Sequence, residues 1–239
     1  MIAFIALALA SAEGDFAAAN GALAKGDLPA AEQGYRALLA EGYTDGDLYY
    51  DLGNVLWRQQ KVAGALLAWR RAEARLPRDP DVQANLDFGR RSVRDPLATT
   101  DPAPWFAPWQ VALTPDEALW IGFALAGLGL AGLAARRRLP HLPLVGAGAA
   151  LTGLGALLVV GGLVDAGLPP VAVVLAPEVT ATSDLGGGVD LFTLHAGAET
   201  LALEHEAGHT LLQLPDGRKG WVADEHVGLA SPDAPFPVL

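Results

Sequence analysis

The 239-residue chain contains no cysteine. That excludes disulfides and every cysteine-ligated zinc or iron–sulfur centre. Basic residues are scarce as well: 16 Lys and Arg stand against 27 Asp and Glu, a formal net charge of −11. A nucleic-acid partner is therefore not expected. No Ser/His/Asp arrangement, P-loop or dinucleotide fingerprint stands out, so neither an enzyme nor a cofactor is expected. The scarcity of bases is uneven. Residues 13–95 carry 13 acids and 11 bases, whereas residues 170–239 carry 10 acids and 2 bases. Between Asp95 and Gly217 the only bases are Arg136, Arg137 and Arg138.

What the chain has in abundance is apolar sequence. Hydrophobic residues make up 51% and the mean hydropathy is +0.28, which points to membrane segments. Residues 1–12, "MIAFIALALASA", read as a signal peptide ending in a small-residue cleavage site. Two uncharged runs, residues 118–135 and 142–164, are long enough to span a bilayer, and transmembrane helices are expected over residues 117–135 and 142–164. Thr114, Pro115 and Glu117 spell an N-cap, a first-turn proline and a capping-box glutamate before the first run. Trp105, Trp109 and Trp120 cluster at the same end, as at a membrane interface. Residues 136–141 leave room only for a turn, and Arg136, Arg137 and Arg138 in it are expected to stay in the cytoplasm. Both flanking soluble parts are then expected in the periplasm, making this a multi-pass inner-membrane protein in contact with membrane lipid.

Residues 13–95 repeat with a period of 34: Asn20 and Asn54, Ala31 and Ala65, Tyr35 and Trp69. Leu52, Gly53, Ala65, Trp69, Ala72 and Pro77 fit the tetratricopeptide pattern, with a capping helix expected over residues 80–93. The first helix of each repeat should line a partner-binding groove formed by Phe16, Asn20, Tyr50, Asn54, Trp57 and Arg58. Trp57 could equally pack on the neighbouring repeat. A Pro-rich linker, residues 96–116, leads to the membrane.

Residues 170–239 break into short apolar runs separated by Gly, Pro and Asp, the texture of a small all-β barrel. Within them lies His205-Glu206-Ala207-Gly208-His209. On a helix this spelling would place two histidines on zinc beside a general base, with Asp224, Glu225 or His226 as third ligand. Gly208 and Pro215 oppose a helix, and Asp216-Gly217 marks a hairpin. Residues 200–214 are therefore expected to be two strands joined by a turn, with no metal. A membrane zinc metalloprotease is the minor alternative.

The runs "VAVVLAPEVTATS", "LFTLHAGAETLALE" and "LLQLPDGRKGWV" resemble the bacterial SH3-like domain. Residues of that family next to His209 and Thr210 usually include an aromatic, which this chain lacks. The whole order, with "LYYDLGNVLWR" and "PRDPDVQANLDFGRRSVRDP", resembles the BatE-type proteins of the Bacteroides aerotolerance (Bat) operon. The resemblance implies a multi-domain membrane protein: an all-α tetratricopeptide repeat domain, a two-helix transmembrane hairpin and a small SH3-like barrel. It implies a non-enzymatic envelope scaffold whose partners are von Willebrand A-type membrane proteins and a MoxR-type AAA+ ATPase. Peptidoglycan is the alternative partner that an SH3-like domain implies.

Overall fold

The computed structural model describes residues 2–95, 113–136, 138, 144–231 and 234–237. It divides into two compact units, Met1–Thr99 with Pro169–Leu239 and Thr100–Leu168. Most of the expected linker, with Trp105 and Trp109, lies outside the described residues, as do Arg137 and most of the turn around it.

The first unit begins with five helices: α1 (Ile2–Ala24), α2 (Leu28–Ala40), α3 (Gly46–Arg58), α4 (Val62–Arg75) and α5 (Pro80–Arg90). Leu28 and Val62, which start α2 and α4, are one sequence period apart, and so are Ala24 and Arg58, which end α1 and α3. The period of the sequence is thus a period of helical hairpins. Helix α1 runs unbroken through Ala12, where the sequence places the end of a signal peptide. Helix α5 ends three residues short of the expected Val93, followed by a turn from Gly89 to Ser92. Asp27, Asp45 and Asp79 cap α2, α3 and α5 by accepting backbone N–H groups, which satisfies donors the first turn leaves open. The core is built where small residues let helices approach. A Cβ on Gly53 would overlap the Trp69 ring, and that ring is 2% exposed. Truncating such a ring to alanine costs about 3–5 kcal/mol.

The rest of this unit is a seven-stranded antiparallel sheet in the order β3-β2-β6-β5-β4-β1-β7. The strands are β1 (Val171–Val174), β2 (Glu178–Thr182), β3 (Asp190–His195), β4 (Glu199–Glu206), β5 (His209–Gln213), β6 (Lys219–Ala223) and β7 (Val227–Leu229). Leu194 of one edge strand and Val227 of the other belong to the same buried cluster, so the sheet curls on itself. Alternation puts Ala172 and Val174 of β1 in that cluster, while Val173 joins the helical core. Strand β1 is apolar on both faces because both faces are covered.

Helix α4 carries the contact with the sheet. Arg70 forms a two-pronged pair with Glu199, Nε to Oε1 at 2.9 Å and Nη2 to Oε2 at 2.7 Å. Arg90 adds a bond to Glu199 Oε2 at 3.1 Å. Arg70 is 6% and Glu199 2% exposed. Leu67 occupies the space a Cβ on Gly228 would need. Next to Arg70, the Arg71 guanidinium donates to the carbonyls of Leu229, Ala234 and Pro235. The ring of Phe236 stacks on Tyr49 and lies under both Arg71 and Arg36. At the end of the helical segment, Asp95 Oδ2 accepts the backbone N–H of His195 at 2.9 Å and lies 2.9 Å from its Nδ1. The helical hairpins and the sheet are one folded body.

The second unit is a pair of apolar helices, α6 (Pro115–Ala135) and α7 (Leu144–Ala166). Each contains a stretch long and apolar enough to cross a membrane. The expected capping box is formed: Thr114 Oγ1 accepts from Glu117 N at 3.2 Å, and Thr114 N donates to Glu117 Oε2 at 2.9 Å. Glycines make the seam. A Cβ on Gly155 would lie 2.5 Å from Gly122 O, and one on Gly148 would lie 2.7 Å from Gly129 O. Backbone meets backbone there, as small residues allow.

Candidate functional site

Helices α1 and α3 are the first helices of successive hairpins, α5 is the helix one period further on, and the expected groove residues lie on α1 and α3. Leu48, Tyr49, Leu52, Val55 and Leu56 turn the buried face of α3 into the core, which leaves Asp47, Tyr50, Asp51, Asn54, Trp57 and Arg58 on the other side. Arg58 is exposed, and Tyr50, Asn54 and Trp57 are half-buried. On α1, Phe16 and Asn20 are half-buried, and Phe16 packs on Tyr35 with ring centroids 5.9 Å apart.

The two asparagines have a role that their period alone does not reveal. Asn20 Oδ1 accepts the Tyr35 hydroxyl at 2.5 Å, and Asn54 Oδ1 accepts Trp69 Nε1 at 3.3 Å. Donor and acceptor both recur one period later, so each hairpin ties its first helix to its second in the same way. Asn85 of α5 also donates to Asn54 Oδ1, at 2.9 Å. The amide oxygens of the row are thus engaged within the protein, and Asn54 holds three helices together. On the sequence alone Asn54→Ala is a harmless surface change; in the structure it removes a shared acceptor.

Trp57 lies between Trp69, at 5.6 Å, and Phe88 of α5, at 5.2 Å. It packs on the neighbouring hairpin and still keeps part of its surface open. Phe88, which the sequence reading does not single out, is 54% exposed. Its signal was present: Phe88 is the counterpart of Asn54 one period later. The groove therefore has an aromatic end formed by Trp57 and Phe88.

Its other end is acidic. Asp47 and Asp51 lie one turn apart on α3. Burial, and then the charge of Asp47, push the Asp51 carboxyl above the ordinary aspartate range. Burial and the nearby Asp51 likewise push the Tyr35 phenol up. On the opposite side of the hairpins, burial raises the Glu32 carboxyl but bonds from Lys61 and Arg36 outweigh it and hold it low. Lys61 Nζ lies 2.9 Å from Glu32 Oε2, linking the first hairpin to the second.

The zinc spelling is a hairpin tip. His205 and Glu206 end β4, Ala207 and Gly208 form the turn with φ of 48° and 78°, and His209 opens β5. Two positive φ values in succession are those of a type I′ turn. Glu206 pairs with His209, and His205 with Thr210. Cross-strand partners share a face and neighbours alternate, so His205 and His209 point to opposite faces. They cannot grip one ion. His205 Nδ1 lies 3.2 Å from Asp224 Oδ2, while Asp224 Oδ1 accepts the Thr210 hydroxyl at 2.7 Å. Glu225 and His226 follow in a 3-10 turn, Asp224–His226. Arg136 and Arg138 are exposed beyond the end of α6.

No family model, curated protein or solved structure matches the chain.

Proposed function

We propose that the protein is a non-enzymatic membrane scaffold whose repeat groove recruits a partner protein. The observation that carries this reading is the groove itself: helices α1, α3 and α5 present Phe16, Tyr50, Trp57, Arg58 and Phe88 on a tetratricopeptide-like stack braced from behind by an SH3-like sheet. Open aromatic and arginine side chains on rigid helices are what protein-binding hot spots are made of. The buried Arg70–Glu199–Arg90 network fixes the stack, so little ordering is left to be done on binding. The hairpin geometry of residues 205–209 favours this reading over the metalloprotease.

The repeat and sheet segments share one folded body, which supports placing both on one side of the membrane. Two apolar helices separate them in sequence, and two crossings return a chain to its starting side. Arg136–Arg138 at the turn would face the cytoplasm, placing the body in the periplasm of an inner-membrane protein. The resemblance to BatE-type proteins makes a von Willebrand A-type membrane protein or a MoxR-type ATPase complex the natural partner class.

Co-purification from native membranes tests the reading. Tyr50→Ala with Arg58→Ala should lose the partner while the protein still accumulates in the membrane. Glu206→Gln should keep it. Full retention by the groove variant would place the binding face elsewhere.

A further inference from the structure

Taking the groove as the binding face, we propose that its occupant is a cationic segment of a partner protein. It would carry Lys or Arg along one side and apolar residues along the other. It would lie across α1, α3 and α5 rather than along any one of them.

The acids of the groove are ordered. Glu13, Asp47 and Asp81 recur once per period, one on each of the three helices, and all are exposed. On α3 and α5 they fall in the first turn, where a carboxylate is favoured by the helix dipole whatever it faces. Glu13 lies within α1, directly after Ala12, the expected end of the signal peptide. What the three positions share is the face they occupy. Beside Glu13 and Asp47 is a cleft of about 210 Å³, floored by Phe16, Leu38 and Leu48 and rimmed by Glu13, Asp45 and Asp47. An apolar floor with a carboxylate rim complements an apolar side chain flanked by bases.

Like charges inside the groove point the same way. Asp47 and Asp51 share one side of α3, and burial and Asp47 act on Asp51 in the same direction. An arriving ammonium or guanidinium would relieve that repulsion. A neutral or acidic segment would instead desolvate carboxylates without pairing them, which costs free energy. The net charge of −11 would also speed encounter with a basic surface, an effect that salt weakens.

The test uses the full chain in its native membrane. A photo-reactive phenylalanine analogue replaces Ala84, which is exposed on α5 and is the counterpart of Tyr50 one period later. The captured peptide is then sequenced. It should carry at least two Lys or Arg. Asp47→Asn with Asp81→Asn should cut capture roughly fivefold to tenfold, as expected for losing two exposed ion pairs. The matched Glu substitutions should preserve capture, and circular dichroism should show both variants folded. If the peptide lacks bases, or the Asn pair leaves its yield unchanged, the groove stands but its occupant is not cationic. If position 84 captures nothing while the same analogue at exposed Leu191 of the sheet does, the groove reading fails as well.

Discussion

At the scale of the residue, much of the stability rests on groups whose importance depends on distant partners. Glu199 sits in an ordinary-looking run, "GAETLALE", and its partner Arg70 is 129 residues away. No local pattern could announce that pair. Glu199→Ala should destabilise the protein by about 1–3 kcal/mol, because the buried Arg70 guanidinium loses its two-pronged partner and keeps the Glu73 carboxylate. Chemical denaturation in detergent measures this. A loss under about 1 kcal/mol, the worth of a surface pair, would mean that water reaches the site. The two asparagines were visible as a period, but their role was not, because each bonds to the next helix. Asp51 supplies a pH test. Its folded pKa is raised, so between the unfolded and folded values the folded state binds more protons, and stability falls as pH rises through that window. Asp51→Asn should therefore raise the melting temperature at pH 7 and leave it little changed below about pH 3, under the ordinary aspartate pKa. Equal shifts at both pH values would contradict the repulsion argued for this site.

At the scale of the element, local chemistry was most legible where it acts locally. The Thr114–Glu117 capping box and the Asp216-Gly217 hairpin turn are formed where the residues predict them. The zinc spelling shows why a motif must be read with its backbone: Ala207 and Gly208 at positive φ make it a turn. The membrane helices offer a sharper case, since sequence cannot say which of many glycines form the seam. Gly155 meets the backbone of Gly122, whereas a Cβ on Gly153 meets nothing within 4 Å. Gly155→Leu should push α6 and α7 apart and lower the yield of folded protein. Gly153→Leu should be tolerated. Equal tolerance of both would show that the seam is not where these glycines place it.

At the scale of the molecule, the order of segments was readable but their union was not. The repeats, apolar helices and strands lie where hydrophobic period and turn residues put them. The joining of repeats to sheet depends on Arg70, Arg71 and Phe236, side chains that look like an exposed helix face and a loose tail until they are folded together. Under the proposed topology the repeats and the sheet share one side of the membrane, and the arginines between the apolar helices lie on the other. The absence of native cysteine makes one measurement decisive. Single Glu41→Cys, Glu225→Cys and Arg138→Cys variants, all at exposed positions outside the groove, are treated with a membrane-impermeant maleimide in intact spheroplasts. The first two should label at once, and the third only after permeabilisation. Labelling of position 138 in intact spheroplasts, or protection of either position 41 or position 225, would contradict the account.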